Sequence, residues 1–332
     1  MNLNDLIKKA FDGERLGFDE IVFLLSIDPL SEDGYDIIKA GGLLSRRLSK
    51  NIAEVHGQFA LNLAPCPADC KFCSFAISTD LFKEAKELTI EEAKRYALDF
   101  EKNRECACIY VMTTANYDFG KFIEFSSEIR RYLNQDTIMI ANIGDQNLKN
   151  AIKLKEAGYT GVYHAVRMGE GRDNKLTKES RLRTIENFKA AGLLVGTCVE
   201  PIGSEHSNEE IAEKILIAAE INPVFSGAMR RINVPGSELS RYPMVSEIRM
   251  AQIVAITRLA TPHNVIGNCT HEPNPLGIFA GANLIWAESG ANPRDIKEKT
   301  EEGRGFSVSG CADMLEEIGW DVLEGRSIFY SN

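Results

Sequence analysis

Three of the chain's eight cysteines lie within one short stretch, Leu63-Ala-Pro-Cys66-Pro-Ala-Asp-Cys70-Lys-Phe72-Cys73-Ser-Phe75. This stretch follows directly on an apolar run at residues 59–64 that is typical of a buried β-strand. Thiolates at C-x3-C-x2-C spacing can bind three irons of a cubic [4Fe–4S] cluster and leave the remaining iron open for another ligand. A structural zinc ion would need a further Cys or His nearby, and the nearest histidine is His56, ten residues upstream of Cys66. The stretch therefore predicts an iron–sulfur site directly after a strand.

Downstream of this loop, short apolar or β-branched runs alternate with amphipathic helical patterns. Seven further candidate strands lie at residues 108–113, 137–143, 161–167, 193–199, 225–234, 264–269 and 283–287. Capping boxes begin two of the intervening helices, one at Thr89 with Glu92 and one at Ser207 with Glu210. Eight strands that alternate with helices predict an α/β fold, a (β/α)8 TIM-type barrel, whose functional residues lie at the carboxyl ends of its strands.

The patterns divide the 332 residues into three parts. Residues 1–55 form an N-terminal helical extension, because residues 16–27 and 35–55 carry apolar side chains at helical spacing. Residues 56–290 hold the barrel, and residues 291–332 form a short C-terminal cap packed on it. A chain of this length can bury a core of its own without disulfides or metal ions.

The composition is that of a globular protein, with 44% hydrophobic residues and a formal net charge of −10. The acidic balance argues against a nucleic-acid partner. No apolar run approaches the roughly 18 residues of a membrane span, and the first residues lack the apolar segment of a signal peptide. We therefore expect a cytoplasmic protein without a membrane partner, whose cysteines do not form disulfides in that reducing compartment.

The cysteine stretch, with Phe72 directly before its third cysteine and a barrel strand ahead of it, resembles that of the radical S-adenosylmethionine (radical SAM) enzymes. Further patches are similar to biotin synthase, the hydrogenase maturases, methylornithine synthase and the iron-hydrogenase cofactor synthases: 179–192, 232–239 and 281–286. The resemblance implies a [4Fe–4S] cluster held by Cys66, Cys70 and Cys73.

The same resemblance implies that S-adenosylmethionine binds the open iron of this cluster. One-electron reduction then cleaves the cofactor, and a 5′-deoxyadenosyl radical abstracts hydrogen from a small-molecule substrate. A reductant protein such as flavodoxin or ferredoxin would supply the electron, and the chain could act as a homodimer.

The resemblance also implies which side chains contact S-adenosylmethionine: Phe72, Thr113, Thr114, Asn116, Arg167, Glu170 and Arg181. Residues 113–116 follow strand two, at the place that holds the methionine amino group. Arg181 matches an arginine that contacts the methionine carboxylate, a role that suits a permanently charged, bidentate guanidinium. Arg167 and Glu170 follow strand four and are candidates for carboxylate and ribose contacts. The alternative for Arg181 and Glu170 is an exposed charge on a helix or loop.

A second, auxiliary Fe–S cluster is an open question. Usual biotin synthases hold a [2Fe–2S] cluster with cysteines on strands two, three and five and an arginine on strand seven. This chain has no cysteine on strand three, and it has Cys269 where that arginine would lie. A divergent cluster could be held by Cys198, Cys269 and Cys108, or these thiols could simply fill the core. We expect Cys106 and Cys311 to be core residues.

Polar residues at the ends of later strands are candidates for substrate binding: Arg230, Arg231, Asn233 and His271. Arginines on strand six suggest a carboxylated or otherwise anionic substrate. Because neighbouring strand residues point to opposite faces, only one of Arg230 and Arg231 is expected to face the lumen. His271 could instead be a simple hydrogen-bonding residue of the core.

Sulfur insertion of the biotin synthase type, dethiobiotin to biotin, is the leading specific reaction that the resemblance implies, with the divergent second cluster as sulfur donor. Two alternatives within the superfamily need no second cluster: a carbon-skeleton rearrangement, or assembly of a hydrogenase or pyridinol cofactor. The iron-hydrogenase cofactor branch is less favoured, because a longer spacing than that between Cys66 and Cys70 is expected there. A hypothesis from another class is a non-catalytic iron–sulfur or zinc protein that uses the barrel as a binding scaffold.

Overall fold

The computed structural model describes residues 1–271 and 274–331, and eight parallel strands surround a central lumen. The strands are β1 (Ile52–Ala60), β2 (Cys106–Met112), β3 (Met139–Asn142), β4 (Gly161–Tyr163), β5 in two halves (Leu194–Gly196 and Val199–Ile202), β6 (Phe225–Arg230), β7 (Gly267–Cys269) and β8 (Leu284–Ser289). Neighbours in chain order pair with each other, and β1 pairs with β8 as well as with β2. The two halves of β5 form the edges of the sheet, and the N–H of Thr197 between them donates to the carbonyl of Phe225. The sheet therefore curls into the predicted barrel.

Helices surround this barrel, and three of them precede it. The first three are α1 (Leu3–Phe11), α2 (Phe18–Ser26) and α3 (Glu32–Ser49). They confirm the N-terminal helical extension, and they pack on three of the outer helices. The outer helices follow β1 to β8 in turn: α4 (Ile90–Glu101), α5 (Phe119–Tyr132), α6 (Leu148–Glu156), α7 (Lys178–Ala190), α8 (Asn208–Ile221), α9 (Glu247–Ala260), α10 (Pro275–Phe279) and α11 (Val308–Glu317). Both predicted capping boxes form, at Thr89 before α4 and at Ser207 before α8.

Short elements complete the described chain. Strands outside the barrel are Asn62–Leu63, Lys86–Glu87 and Asp321–Val322, and single 3₁₀ turns lie at Ile77–Thr79, Glu238–Arg241 and Thr300–Glu302. No helix within residues 1–271 and 274–331 is long and apolar enough to cross a membrane.

The first barrel strand lies upstream of the predicted run at 59–64 and shortens the predicted helical segment 35–55. Helix α3 already ends at Ser49, and β1 begins at Ile52. Three polar side chains of β1 are buried towards the lumen: Glu54, His56 and Gln58. These polar residues hide the strand from a search for apolar runs, because their burial depends on partners elsewhere in the fold.

The predicted C-terminal cap contains the eighth outer helix. Helix α11 packs against β1 and β8, and Cys311 on this helix is fully buried in the main hydrophobic core. The chain then returns to the amino ends of the strands, where residues 327–330 enter the barrel. The boundaries proposed at residues 55 and 291 stay a prediction.

A buried polar network, here called the lower lumen, is formed by Glu54, His56, Tyr110 and Tyr330. Glu54 Oε2 lies 2.7 Å from His56 Nε2, and His56 Nδ1 lies 3.0 Å from the hydroxyl of Tyr110. The hydroxyls of Tyr110 and Tyr330 are 3.2 Å apart. The Glu54 carboxylate also accepts hydrogen bonds from the hydroxyl of Ser327 and from the next two backbone N–H groups, over 2.5 to 3.2 Å. The polar groups of the lower lumen thus find partners within the protein, and the C-terminal residues close this end of the barrel.

Inward-facing glycines make room for those C-terminal residues. A Cβ at Gly161 would lie 2.6 Å from the ring of Tyr330, and a Cβ at Gly196 would lie 2.7 Å from its hydroxyl. A Cβ at Gly267 would likewise lie 3.0 Å from the ring of Phe329. Any larger residue at these positions would overpack the lumen and displace the tail.

Candidate active site

A cavity with an empty volume of about 1300 Å³ opens at the carboxyl ends of the barrel strands, where this fold carries its functional residues. We call it the mouth cavity. Predicted site residues that line it are Cys66, Cys70, Phe72, Cys73, Thr113, Thr114, Arg167, Arg181, Arg230, Arg231 and His271. Predicted site residues that lie outside its lining are Asn116, Glu170, Asn233, Cys108, Cys198 and Cys269.

The cysteine loop extends over the mouth cavity from the end of β1. The N–H of Cys66 donates to the carbonyl of Phe75 over 2.7 Å. The N–H of Cys73 donates to the carbonyl of Cys70 over 2.9 Å. Two contacts hold this compact loop against the barrel: Lys71 N–H to the Asp173 carbonyl (2.8 Å) and Ser74 N–H to the Pro293 carbonyl (2.9 Å). The backbone therefore fixes the loop and leaves the thiols available for a ligand.

The chemistry of this loop fits an iron–sulfur cluster. Burial raises the pKa of the Cys70 thiol to about 11 and raises that of Cys73 further, although the charge of Arg167 opposes both shifts. Such thiols stay protonated at neutral pH unless a metal deprotonates them. In the part of the chain that the structure describes, no three His, Cys, Asp or Glu side chains converge to hold a single ion, as structural zinc would require. Three neighbouring soft thiols fit a cluster that offers a separate iron to each.

Arg181 on α7 forms one wall of the mouth cavity, with only 3% of its side chain exposed. Its Nε donates to Glu170 Oε1 and its Nη1 donates to Asp145 Oδ1, both over 2.9 Å. This burial excludes the alternative of an exposed helix charge. Glu170 Oε2 is buried and has no hydrogen-bond partner among the described residues. The pair therefore leaves an unused carboxylate oxygen beside the guanidinium.

Titratable groups around Arg181 balance its charge. Burial lowers the pKa of His164 to about 4, and the positive charge of Arg181 adds to this effect. Burial alone would raise the pKa of Asp145, but its hydrogen bond to His164 and the charge of Arg181 lower it below the ordinary value. Burial raises the pKa of Glu170 more than Arg181 lowers it. At neutral pH, His164 is thus neutral, and Asp145 is an anion that offsets charge of the guanidinium.

Arg167 lies between the cysteine loop and the end of β5. Its Nε donates to Glu200 Oε1 over 3.2 Å, and its charge also acts on Cys70. Burial would lower the pKa of Arg167, but the carboxylate of Glu200 raises it above the ordinary value. A permanent cation therefore lies beside the thiols, where it favours their negatively charged form.

The opposite wall is a buried ionic cluster of which the sequence analysis identified only His271. Glu288, at the carboxyl end of β8, accepts hydrogen bonds from Arg294 (2.6 Å) and Arg304 (2.7 Å) and lies 2.9 Å from His271 Nε2. The imidazole of His271 stacks on Trp286, with ring centroids 5.4 Å apart. Glu288 lies two residues after the inward-facing Trp286, so strand alternation could have identified it.

Arg231 and Asn233 hold a neighbouring turn in place. Arg231 has 1% of its side chain exposed and donates to Glu205 Oε1 over 2.8 Å. It also donates to the Asn233 amide oxygen and to the carbonyls of Tyr242 and Pro243. Asn233 is exposed and lies outside the cavity, contrary to the expectation of a substrate contact, because its amide is bonded to this turn.

The segment after β2 reaches the mouth cavity with its two threonines but not with Asn116. Thr114 is buried and forms two hydrogen bonds with Asn62, from Asn62 Nδ2 to Thr114 Oγ1 (2.8 Å) and from Thr114 N–H to Asn62 Oδ1 (2.9 Å). The N–H of Thr113 donates to the carbonyl of Asn142 over 3.1 Å. A turn then carries Asn116 to the exposed surface, so its side chain lies outside the cavity, contrary to the sequence-based expectation.

The cysteines proposed for a second cluster lie below the mouth cavity. Cys198 and Cys269 are 2% and 0% exposed, and both belong to one buried cluster. A Cβ at Gly227 would lie 2.7 Å from Cys269 Sγ, so this glycine leaves room for the pair. Cys108 belongs to the same buried cluster, which also contains the rings of Tyr110 and Tyr330. The second cluster stays a prediction.

Known proteins match both the sequence and the fold. The model of the radical SAM superfamily matches residues 65–218, which include the cysteine loop and α7. The biotin synthase of Caldicellulosiruptor bescii is 23% identical over 329 residues, covering 95% of this chain and 94% of that protein. The biotin synthase of Ehrlichia canis is 27% identical over 273 residues, covering 76% of this chain and 82% of that protein.

Two solved structures share the architecture over nearly the whole chain. Methylornithine synthase superposes with a TM-score of 0.77 at 16% identity, covering 98% of each chain. The FeFe-hydrogenase maturase HydG from Carboxydothermus hydrogenoformans superposes with a TM-score of 0.76 at 16% identity, covering 96% of this chain and 78% of that one. At these identities the likeness establishes the barrel fold and not the reaction.

Proposed function

Since this chain belongs to the radical SAM superfamily, we propose that it removes a hydrogen atom from a small anionic substrate held in the mouth cavity. The observation that supports this most is that the three-thiol loop and the buried Arg181 line the same cavity. When bound, a [4Fe–4S] cluster and S-adenosylmethionine supply the radical chemistry that activates an unreactive C–H bond. The residues of the chain bind, orient and shield these groups.

The cysteine loop would hold the cluster through Cys66, Cys70 and Cys73. The loop is fixed by its backbone hydrogen bonds, so the thiols need little rearrangement to bind metal. Arg167 would offset part of the negative charge that the bound thiolates carry. Phe72 and Phe75 also line the cavity and would help to exclude water from this side.

Arg181 would bind the methionine carboxylate of the cofactor. Its Nε and Nη1 are used by Glu170 and Asp145, while its Nη2 forms no hydrogen bond within the described residues. A guanidinium fixed in this way presents its remaining edge with little loss of side-chain entropy. Glu170 lies outside the lining of the mouth cavity, so it would act on this contact through Arg181, which its Oε1 holds in place.

The charges of the lining favour an anionic substrate. One carboxylate, that of Glu200, lines the mouth cavity among the described residues. Five lining residues are arginines: Arg167, Arg181, Arg230, Arg231 and Arg294. Clefts lined by one sign of charge attract ligands of the opposite sign.

The experiment is anaerobic reconstitution with iron and sulfide, followed by dithionite reduction and chromatographic measurement of 5′-deoxyadenosine formed from S-adenosylmethionine. We expect Cys70→Ala to reduce the rate by more than about 100-fold, since even substitutions behind a metal ligand cost up to that much. Cys311→Ala is the matched control, because this thiol is buried in the core away from the cavity. No 5′-deoxyadenosine from the reconstituted wild type, as from Cys70→Ala, would instead support the non-catalytic alternative.

The finer proposal is a reaction that needs no second cluster, such as a carbon-skeleton rearrangement or a step of cofactor assembly. It is supported by Tyr110 and Tyr330, whose rings pack in the same buried cluster as Cys108, Cys198 and Cys269. Because protein interiors are close-packed, bulky aromatic rings in this cluster leave little volume for an iron–sulfur cluster among its cysteines.

Sulfur insertion into dethiobiotin is the second candidate. Two observations favour it: the biotin synthase relatives that span most of the chain, and the burial of Cys198 and Cys269 in one cluster. Incubation of the reduced enzyme with dethiobiotin and S-adenosylmethionine tests it. Biotin formed by the wild type and lost in Cys198→Ala would establish sulfur insertion, whereas no biotin from an enzyme that forms 5′-deoxyadenosine would rule it out.

We also propose that flavodoxin or ferredoxin supplies the electron and that the chain acts as a homodimer. Replacement of dithionite by either reductant protein in the 5′-deoxyadenosine assay tests the first proposal. Sedimentation of the reconstituted protein tests the second.

A further inference from the structure

The mouth cavity contains buried hydrogen-bond donors that have no partner among the described residues. They belong to three side chains of its lining: the hydroxyl of Tyr163, Nε1 of Trp286 and Nε of Arg230. These residues come from three different strands, β4, β8 and β6. Burial of an unpaired polar group is unfavourable, so several of them in one cavity call for an explanation such as a missing ligand.

Tyr163 and Trp286 form the floor of the mouth cavity, and Phe225, which is not part of the lining, packs against them. The rings of Tyr163 and Trp286 approach from opposite sides of the barrel, and their centroids are 6.3 Å apart. Phe225 packs against both, at 6.2 Å from Tyr163 and 5.7 Å from Trp286. These rings separate the cavity from the lower lumen, so the two donors belong to the floor and not to the wall of Arg181.

The positive charge of Arg230 is only weakly offset by other groups of the protein. Its Nη1 lies 3.4 Å from the carbonyl of Val245, and its Nη2 lies 3.5 Å from Glu247 Oε1, whose side chain is 52% exposed. The neighbouring Arg231, in contrast, is bonded over 2.8 Å to the buried carboxylate of Glu205. Burial of a cation without a close anion is unfavourable. An anionic ligand beside Arg230 would therefore be stabilised by the charge of its guanidinium.

We infer that the floor binds a carboxylate group of the substrate, which accepts hydrogen bonds from Arg230, Tyr163 and Trp286. A carboxylate is an acceptor without donors, and it forms charge-assisted bonds with a guanidinium. The three residues line the cavity while these donor atoms are buried, so their side chains must shift to meet the ligand. The inference rests on the proposed function and deepens it: the substrate is a carboxylic acid whose carbon chain extends from the floor towards the cysteine loop.

Tryptophan fluorescence provides the test, because the chain has two tryptophans and only Trp286 lines the cavity. The protein is Trp320→Phe, reconstituted anaerobically and saturated with S-adenosylhomocysteine, which fills the cofactor site without reacting. The probes are hexanoate, the charge-reversed hexylammonium and the neutral hexanol. We expect a saturable change in emission with hexanoate alone. Loss of one charge-assisted bond corresponds to about tenfold or more in affinity, so Tyr163→Phe and Arg230→Gln should each weaken hexanoate binding by at least that factor.

The control variant is Tyr159→Phe, which removes a buried hydroxyl that bonds to Ser126 away from the cavity. It should bind hexanoate as the parent does. Equal responses to hexanoate and hexylammonium, or parental affinity in both Tyr163→Phe and Arg230→Gln, would overturn the inference. The 5′-deoxyadenosine assay tests the proposed function separately. If the protein binds hexanoate but forms no 5′-deoxyadenosine, the proposed function is contradicted and the carboxylate site at the floor is not.

Discussion

The lower lumen and the mouth cavity are both built from inward-facing residues of the same barrel. They differ in whether their buried polar groups have hydrogen-bond partners within the protein. In the lower lumen, Glu54 and His56 are fully buried, and each is bonded to protein partners. In the mouth cavity, Tyr163, Trp286 and Arg230 bury donors that lack partners among the described residues. Polar side chains inside this barrel are therefore structural where the protein satisfies them, and they indicate ligand binding where it does not.

Replacement of Arg181 should have the largest effect, because this residue lines the mouth cavity and also pairs with Glu170 and Asp145. Both cofactor binding and the stability of the fold should therefore fall. We expect Arg181→Met to reduce 5′-deoxyadenosine formation by about 100-fold or more, through loss of the methionine carboxylate contact. It should also cost about 3–5 kcal/mol of unfolding free energy, since Glu170 and Asp145 lose their buried partner. Equilibrium dialysis with S-adenosylmethionine and urea denaturation measure the two effects. Arg183→Met, an exposed neighbour on the same helix, is the control, and a similar loss there would contradict the assignment.

Glu54→Gln should disrupt the hydrogen bonds of the lower lumen and leave the mouth cavity unchanged. The carboxylate accepts hydrogen bonds from His56 and from three groups of the C-terminal segment. Charge-assisted bonds are worth about 1.5–3 kcal/mol each, so we expect a loss of about 3 kcal/mol in urea denaturation. The affinity for S-adenosylmethionine should not change. The exposed Glu317→Gln serves as control, and weaker cofactor binding by Glu54→Gln would show that the two regions are coupled.

Acid should lower the unfolding free energy through His164, which lies beside Arg181 in the mouth cavity. Burial lowers the pKa of this residue in the folded protein to about 4, from the ordinary value of 6.5. The unfolded chain takes up this proton at a higher pH than the folded protein does. The contribution of His164 to stability is therefore complete above pH ~6.5 and is lost as the pH falls towards ~4. Between these values we expect the wild type to lose about 2–3 kcal/mol more unfolding free energy than His164→Asn does. Urea denaturation across the pH range measures this, and parallel curves for the two proteins would exclude the proposed environment.

Replacement of one tyrosine by phenylalanine in each region should have the smallest effect on stability. The expected results for the two regions nevertheless differ. Tyr330→Phe removes a hydroxyl that is bonded to Tyr110, and it should cost about 1 kcal/mol. Tyr163→Phe removes a hydroxyl without a partner, and it should be neutral or slightly stabilising because no bond is lost. Thermal unfolding of the two ligand-free variants measures the difference. Equal destabilisation by both would mean that the mouth cavity is satisfied in the same way as the lower lumen.

Local sequence patterns were sufficient for the strand and helix order and for the cysteine loop. The alternation of short apolar runs with capped helices predicted the barrel, and both predicted capping boxes form. The spacing of Cys66, Cys70 and Cys73 indicated the class of site, because these residues act together within a few positions of one another.

Features that depend on distant partners could not be predicted in this way. Glu54 is buried because residues 327–329 bond to it, more than 270 positions along the chain, and no local pattern signals this. Asn116 and Asn233 were expected in the cavity, but turns carry both outward, and a turn's direction is set by tertiary contacts. Both Arg230 and Arg231 line the cavity, contrary to the expected alternation, because the strand ends at Arg230 and Glu205 of another loop holds Arg231.

The central claim is that the mouth cavity holds the one iron–sulfur cluster of this protein, while the cysteines beneath it are structural. Iron and acid-labile sulfide per chain, counted after anaerobic reconstitution, test it most directly. The account predicts about four irons in the wild type and in Cys198→Ala/Cys269→Ala, and essentially none in the Cys66/Cys70/Cys73 triple alanine variant. About two to four irons remaining in the triple variant, and lost when Cys198 and Cys269 are also replaced, would contradict it.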